Sequence, residues 1–409
     1  MRRKSDFGVP KLLERYRALF CLLIVLVGLA GCSTSSKRPA APPGPATQPT
    51  SVFDPAKLAA MDAAINQAIA QTNLPGGVLW VEHRGQVYAR AYGQRAVVPA
   101  REAMTVDTIF DAASLTKVLA TTPAMLWLIE QGRVNLDAPV QTYLPEFTGQ
   151  GREPITIRHL MTHSAGLPPG LTSRERPEDY ASGIRLALKE KPATPPATAF
   201  RYSDVNFILL GEIVRRVSGQ PLNEFVARHF YEPLGMRDTG YLPPTEKRAR
   251  IAPTEAFGGA MLRGTVHDPT ARRMDGVAGH AGVFTTAADL ARYARMLLGG
   301  GILEGVRVLK PETVRLMTTI QSPVAVKDKR GLGWDIDSPH AGPRGKWFPV
   351  GSYGHTGWTG TSVWIDPASQ TMVIFLSNRN HPDGKGNVVP LRAQLGTLAA
   401  EALRPADYR

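Results

Sequence analysis

Apolar positions along this chain alternate between a helical period and a strand period, and the alternation outlines a fold. Asp54-Pro55 reads as a helix start, Asp as the N-cap and Pro at the first helical position. Leu58, Met61, Ile65 and Ile69 then recur at helical spacing. Gly76-Gly-Val-Leu-Trp-Val-Glu82 and Val87-Tyr-Ala-Arg-Ala-Tyr92 flank His83-Arg-Gly-Gln86, which predicts a β-hairpin with Gly in its turn. Val118, Leu119, Thr122, Met125, Leu126 and Ile129 return to the helical period from a start near Ser114, with a kink expected at Pro123. Further helices are predicted from Ile157 to His163 and from Asn206 to Val217, the latter ended by Ser218-Gly219. Another runs from Thr286, with Asp289 three residues on, through Leu290, Tyr293, Met296 and Leu297. Strands return at Gly360–Ile365 and Thr371–Ser377 around the turn Asp366-Pro-Ala-Ser-Gln370, and a last helix spans Pro390 to Leu403.

Helix, strands, a long helical block, strands and a helix predict an α/β (α+β) fold. An antiparallel sheet is flanked by the N- and C-terminal helices on one face and joined to a large helical subdomain. The sheet subdomain takes about residues 52–112 and 330–409, the helical subdomain about 113–329.

The first 51 residues stand apart from this pattern. Arg2, Arg3, Lys4, Lys11, Arg15 and Arg17 precede the apolar run Leu19 to Leu29, too short for a comfortable membrane span. The run ends in Leu29-Ala30-Gly31-Cys32, the pattern of a lipoprotein signal peptide over residues 1–31 with Cys32 as the lipidated N-terminus. An ordinary secretory signal or an uncleaved anchor is the plain alternative. Residues 32–51, rich in Ser, Thr, Ala and Pro, read as a semi-extended tether. The expected location is the cell envelope outside the cytoplasm, lipid-anchored, on the outer membrane if the host is Gram-negative.

Composition narrows the chemistry. The two cysteines, Cys21 and Cys32, both fall in this leader region, so the predicted domain has no disulfide, thiol nucleophile or Cys-bound metal. Of the formal charge of +13, the leader and tether carry six, and no run of Lys and Arg interleaved with aromatics remains to bind nucleic acid. No cofactor fingerprint is present, and no G-x-S-x-G offers a nucleophile elbow.

Three stretches carry candidate chemistry. In Asp111-Ala-Ala-Ser114-Leu-Thr-Lys117, a Ser and a Lys three apart would meet on one helical face: a nucleophile beside an amine able to take its proton. Tyr202 and Asp204 lie in Phe200-Arg-Tyr-Ser-Asp204, at a loop-to-helix junction suited to reactive side chains. Gly354-His355-Thr356-Gly357-Trp358-Thr359-Gly360 is too glycine-rich to be chosen for core packing and lets a substrate lie against bare backbone. His159 and His163 sit four apart, but Leu160 replaces the Glu of H-E-x-x-H and no third ligand is evident, so a metal is not expected.

Ser-x-x-Lys, Tyr-x-Asp and His-Thr-Gly, in that order, resemble the three motifs of the penicillin-recognising serine hydrolases: class C β-lactamases, D,D-carboxypeptidases, D-aminopeptidases and related esterases. The resemblance implies a β-lactamase/transpeptidase-like fold and an acyl-enzyme on Ser114. It also implies that Lys117 and Tyr202 share the proton work, with an oxyanion hole from the N–H groups of Ser114 and Trp358. Losing one such donor costs about 2.7–4 kcal/mol in the barrier. Asp204 stands where the family often has Asn, and His355 where β-lactamases usually have Lys, near the polar end of the substrate. An ionised Asp204 would hold Lys117 as ammonium and leave Tyr202 the stronger base. His355 would be a weaker, pH-dependent cation.

The segment Val266-His-Asp-Pro-Thr-Ala-Arg-Arg-Met-Asp-Gly-Val-Ala-Gly279-His280-Ala-Gly282 looks like that of a branch containing weak D,D-carboxypeptidases and muropeptide amidases that cleave the lactyl–L-Ala bond. That resemblance puts His280 at the cleft rim; a buried, satisfied His in a glycine-rich turn is the alternative. The expected function is therefore an envelope serine hydrolase cleaving amide bonds of peptidoglycan peptides. An esterase or a weak class C-like β-lactamase are the rivals on the same scaffold, and a non-catalytic sensor that binds muropeptides or β-lactams is the rival of another class.

Overall fold

The computed structural model describes residues 52–403; the expected leader, tether and Cys32 lie outside the described residues. The first helix, α1 (Pro55–Ala70), starts where Asp54 accepts the Ala56 N–H at 2.8 Å, and it buries Met61, Ala64, Ile65 and Ala68. The predicted hairpin follows as β1 (Gly76–His83) and β2 (Gln86–Ala96), in register from His83↔Gln86 to Gly76↔Gly93. A short β3 (Glu102–Ala103) borders it.

The remaining strands come from the end of the chain: β4 (Lys329–Arg330), β5 (Asp335–Asp337), β6 (Tyr353–Thr356), β7 (Ser362–Asp366) and β8 (Thr371–Ser377). All pair antiparallel in the order β4-β5-β6-β7-β8-β1-β2-β3, so β1 and β8 join the two halves of the chain at the sheet centre. Strand β7 starts two residues later than the sequence pattern suggests because Gly360 turns there at φ +119°.

The pleat of β1 sorts its side chains between two cores. Leu79 and Val81 point to α1 and the C-terminal helix α6 (Val389–Ala402), meeting Phe375, Leu391 and Leu395. Val78 and Trp80 point the other way, toward the helical block. There α2 (Thr122–Glu130), α3 (Asp204–Ser218), the short α4 (Pro269–Arg273) and α5 (Ala287–Leu298) share the larger core. Both sheet faces are thus covered, which is why the central strands read as nearly unbroken apolar runs. Burying each such Leu or Ile stabilises the fold by about 1.5–3 kcal/mol.

Candidate active site

The helical period around Ser114 predicts a helix starting there; the structure departs from it in an informative way. Ser114 lies on a 3₁₀ turn, Ala113–Leu115, and residues Lys117–Thr121 form a single π turn before α2 begins at Thr122. Pro123 is the cause. It has no N–H to offer the carbonyl of Leu119, four residues back. The hydroxyl of Tyr231 supplies that carbonyl instead, at 3.1 Å, and Tyr293 supplies Val118 at 2.8 Å. Two buried tyrosines from elsewhere in the chain therefore hold the widened turn that carries Lys117.

Ala113, just before the serine, has φ +47°, a left-handed conformation that costs a non-glycine residue about 1–3 kcal/mol. The carboxylate of Asp111 holds it there, accepting the Ala113 N–H at 2.8 Å and the His267 N–H at 2.7 Å. Burial raises the pKa of Asp111 despite those two bonds. The serine is presented on a turn fixed from both sides.

Lys117 is fully buried. Its Nζ donates to Ser114 Oγ at 3.0 Å, to Asp204 Oδ1 at 2.7 Å and to the His280 carbonyl at 3.3 Å, and lies 4.9 Å from the centre of the Tyr202 ring. Burial pulls its pKa down, but Asp204 and Tyr202 outweigh it and the net shift is upward. The contact with Asp204 thus favours the ammonium form of Lys117.

Tyr202 and Asp204 owe their places to His163. Helix Ile157–Met161 stops short of this residue, which takes φ +55°. The His163 carbonyl accepts the Arg201 N–H at 2.8 Å and its Nδ1 accepts the Ser203 N–H at 3.1 Å, while its ring stacks on Tyr202 with centroids 4.4 Å apart. Burial, then the charges of Arg330 and Lys117, push His163 well below the usual imidazole range, so it stays neutral. The other member of the His pair, His159, accepts the Thr156 N–H in a capping box. The two imidazoles serve different backbone segments.

His355 corrects an expectation. It is buried, its Nδ1 is 2.9 Å from the Thr356 carbonyl, and it lies behind Tyr202 with ring centroids 6.2 Å apart. Burial, with Arg330 and Lys117 nearby, depresses its pKa well below the usual value. Burial thus disfavours the charged form, against the cation that the resemblance implied for the polar end of a substrate.

The strand side of the site is stitched to the serine turn. Thr359 Oγ1 donates to the Asp111 carbonyl at 2.7 Å and Thr361 Oγ1 to the Ala112 carbonyl at 3.0 Å. A Cβ on Gly357 would sit 2.4 Å from the Ala112 carbonyl, so only glycine admits this approach. Behind the loop, Arg392 of α6 is buried and donates to the carbonyls of Gly357 and Thr361, both at 2.7 Å. No periodic signal marks Arg392 as a site residue, since an Arg on a terminal helix reads as solvent-facing. Trp358 at the loop tip is 67% exposed, and Arg379 lies 4.5 Å from its ring centre.

The Val266–Gly282 segment closes the opposite side. Asp268 caps α4 by accepting the Ala271 N–H at 2.8 Å and pairs with His280 Nε2 at 3.0 Å. A Cβ on Gly279 would lie 2.0 Å from the Phe207 carbonyl, so this backbone presses directly onto α3. His280 is part of the cavity wall, 1% exposed and bonded to Asp268 through Nε2, but its buried Nδ1 has no partner among the described residues, so it is not the fully satisfied histidine of the alternative.

Ser114, Tyr202, Asp204, Asp268, His280 and Trp358 line one cavity of about 300 Å³. A larger groove of about 750 Å³, over Tyr180, Arg215 and Arg216, holds none of them. Polar atoms of Asp204, Asp268 and His280 lie within 4.8 Å of one another, a set that would hold a cation. The Lys117 ammonium already occupies Asp204.

A lysine amine against a serine hydroxyl, on an antiparallel sheet backed by helices and faced by a helical block, is the constitution of a serine hydrolase of the β-lactamase and penicillin-binding group. The chain belongs to the Beta-lactamase family, whose model matches residues 61–397. It is 31% identical over 377 residues to the N-acetylmuramyl-L-alanine amidase of Bacillus subtilis (strain 168), covering 81% of this chain and 83% of that one. It is also 31% identical over 366 residues to an Escherichia coli (strain K12) protein named as a candidate D-alanyl-D-alanine carboxypeptidase, covering 80% and 84%. Among solved structures its fold is like that of a class C β-lactamase (TM-score 0.69, 21% identity, 85% and 97% covered). It is equally like EstCE1, a hydrolase with promiscuous acyltransferase activity (TM-score 0.70, 24% identity, 84% and 99% covered).

Proposed function

We propose that this enzyme forms an acyl-enzyme on Ser114 and cleaves amide bonds of peptidoglycan-derived peptides, as a muropeptide amidase or a D,D-carboxypeptidase. The observation that carries the reading is the contact of Lys117 Nζ with Ser114 Oγ at 3.0 Å, inside a cavity shared with Tyr202. An ammonium that donates to the nucleophile has no lone pair for its proton, so Tyr202 is assigned as the base.

In this scheme Tyr202 acts as the phenolate beside the Lys117 ammonium, and Ser114 Oγ attacks the scissile carbonyl carbon while its proton passes to the Tyr202 oxygen, leaving the neutral phenol. Lys117 and the N–H groups of Ser114 and Trp358 face the negative charge that builds on oxygen. The C–N bond then breaks, and the leaving amine takes the proton back from Tyr202. Water repeats the sequence at the acyl-enzyme, releasing the acid and restoring Ser114. Thr356 and Gly357 lie along the path where an extended substrate would run beside β6.

The substrate class is supported by the names of the two 31%-identical relatives. The envelope location rests on the basic, apolar and Ala-Gly-Cys32 pattern of the leader. The deciding experiment incubates the detergent-solubilised full chain with tripeptide to pentapeptide muropeptides, a cephalosporin and a short-chain ester, and identifies products by mass. Separation of sugar from peptide means amidase; loss of terminal D-Ala means carboxypeptidase. Turnover of the ester alone, or labelling of Ser114 without turnover, overturns the peptidoglycan reading. Cell fractionation of a Cys32→Ala variant tests the anchor, which predicts release of the protein from membranes.

A further inference from the structure

The reaction scheme gives no role to the Val266–Gly282 segment, although its backbone is driven against α3 and its side chains wall the cavity. The two carboxylates of that cavity are held differently. Lys117 pairs with Asp204 at 2.7 Å and His280 Nε2 with Asp268 Oδ1 at 3.0 Å, which leaves the second oxygen of Asp268 as an open acceptor on the cavity wall. Its Oδ1 takes both the Ala271 N–H and His280 Nε2, while Oδ2 makes no hydrogen bond among the described residues; the side chain is 28% exposed. His280 is the group that orients it: Nε2 is on the carboxylate, and Nδ1 is buried with no partner among the described residues.

The nearby arginines make their hydrogen bonds elsewhere. Arg272 donates to the carbonyls of Val266 and His267, Arg379 to those of Trp358 and Gly386, and Arg330 pairs with Asp335 at 2.9 Å. None of the three lines the cavity. Burial opposes the ionisation of Asp268, but His280, the Ala271 N–H and Lys117 outweigh it, and its carboxyl sits below the usual range. The carboxylate is also close to the chemistry. It belongs to the set of polar atoms within 4.8 Å of one another that includes Asp204, and Asp204 is joined through Lys117 to Ser114.

We propose that Asp268, oriented by His280, reads an N–H donor beside the scissile carbonyl and rejects a carboxylate there. The site then takes internal amides in preference to bonds one residue from a free C-terminus. This rests on the acyl-enzyme reading and decides within it, toward the amidase and away from the carboxypeptidase. A carboxylate brought next to Asp268 meets like charge, whereas an amide N–H finds an open acceptor.

The test uses the full chain in detergent and two N-acetylalanyl thiolesters, identical except that the leaving thiol is mercaptoacetate or its uncharged amide, mercaptoacetamide. Ser114 attack releases one thiol per acyl group, which a disulfide reagent detects. The wild type is expected to favour the mercaptoacetamide ester by about tenfold or more in kcat/KM. Asp268→Asn keeps the size and the capping acceptor, and is expected to shrink the preference below about threefold, chiefly by improving turnover of the carboxylate ester. The same preference measured as inhibition of the wild type by N-acetylalanylglycine and its amide needs no variant. Equal turnover of both thiolesters by the wild type, or an unchanged preference in Asp268→Asn, with the Ser114 acyl-enzyme seen by mass, overturns the role of Asp268 alone. Failure of either thiolester to acylate Ser114 overturns the hydrolase reading as well.

Discussion

Two buried cations flank the cavity, and they differ in what answers their charge. Lys117, in the helical block, faces a carboxylate at 2.7 Å and the serine hydroxyl at 3.0 Å. Arg392, behind the sheet loop, faces two neutral carbonyls at 2.7 Å. Their pKa values move in opposite directions. Lys117 goes up against the effect of burial, while burial, with Arg379 beside it, pushes Arg392 down to about 9. The first arrangement places charge where a reaction builds the opposite sign; the second uses a planar fork to fix the shape of a loop. A buried charge is therefore no sign of chemistry until its partners are known.

Substitutions can break this contrast. Lys117→Met should cost the most, about 10⁴-fold in kcat/KM for a chromogenic ester, because it removes charge at the reacting oxygen and leaves Asp204 uncompensated. Tyr202→Phe should lower the acylation rate by about 10²–10⁴-fold, followed as burst release. Near-full acylation in Tyr202→Phe, with none in Lys117→Met, would return the base role to the lysine. Arg392→Met touches no reacting group, yet should cost about 10²-fold in kcat through a displaced Gly357–Thr361 loop. It should also lower the unfolding midpoint in urea, since two buried carbonyls lose their donor.

Smaller effects sharpen the same picture on the stability side. Gly279→Ala forces a methyl against the Phe207 carbonyl and should destabilise the fold by about 1–3 kcal/mol, read by thermal unfolding. Stability also depends on acidity. His163 and His355 have folded pKa values well below 6.5, so below that pH the unfolded chain binds protons that the folded one refuses. Stability should be complete above about pH 6.5 and fall as pH drops, by up to about 1.4 kcal/mol per pH unit for each histidine. Urea unfolding of His355→Gln against wild type at several pH values should show the reduced slope.

Much of this architecture was legible in the order of residues. Period-two runs around His83-Arg-Gly-Gln86, helical spacing after Asp54-Pro55 and the cap at Thr286 each correspond to an observed element, because each depends on neighbours a few positions away. After Ser114 the sequence shows an interruption at Pro123 but not its form, because the π turn Lys117–Thr121 is held by hydroxyls from Tyr231 and Tyr293, over a hundred residues distant. The pairing of Ser114, Lys117, Tyr202 and Asp204 could be anticipated from motif order. The neutrality of His355 could not, since a glycine-rich loop does not reveal how deeply it is buried. Arg392 is hidden for a related reason: it acts on the Gly357 and Thr361 carbonyls, more than thirty residues away, which no sequence window joins to it.

The grip of Arg392 on the Gly357–Thr361 loop ties the cavity to the far side of the sheet. The guanidinium sits on α6, which packs with α1 on the face away from the helical block, so loosening that helix would slacken the loop while Ser114, Lys117 and Tyr202 keep their places.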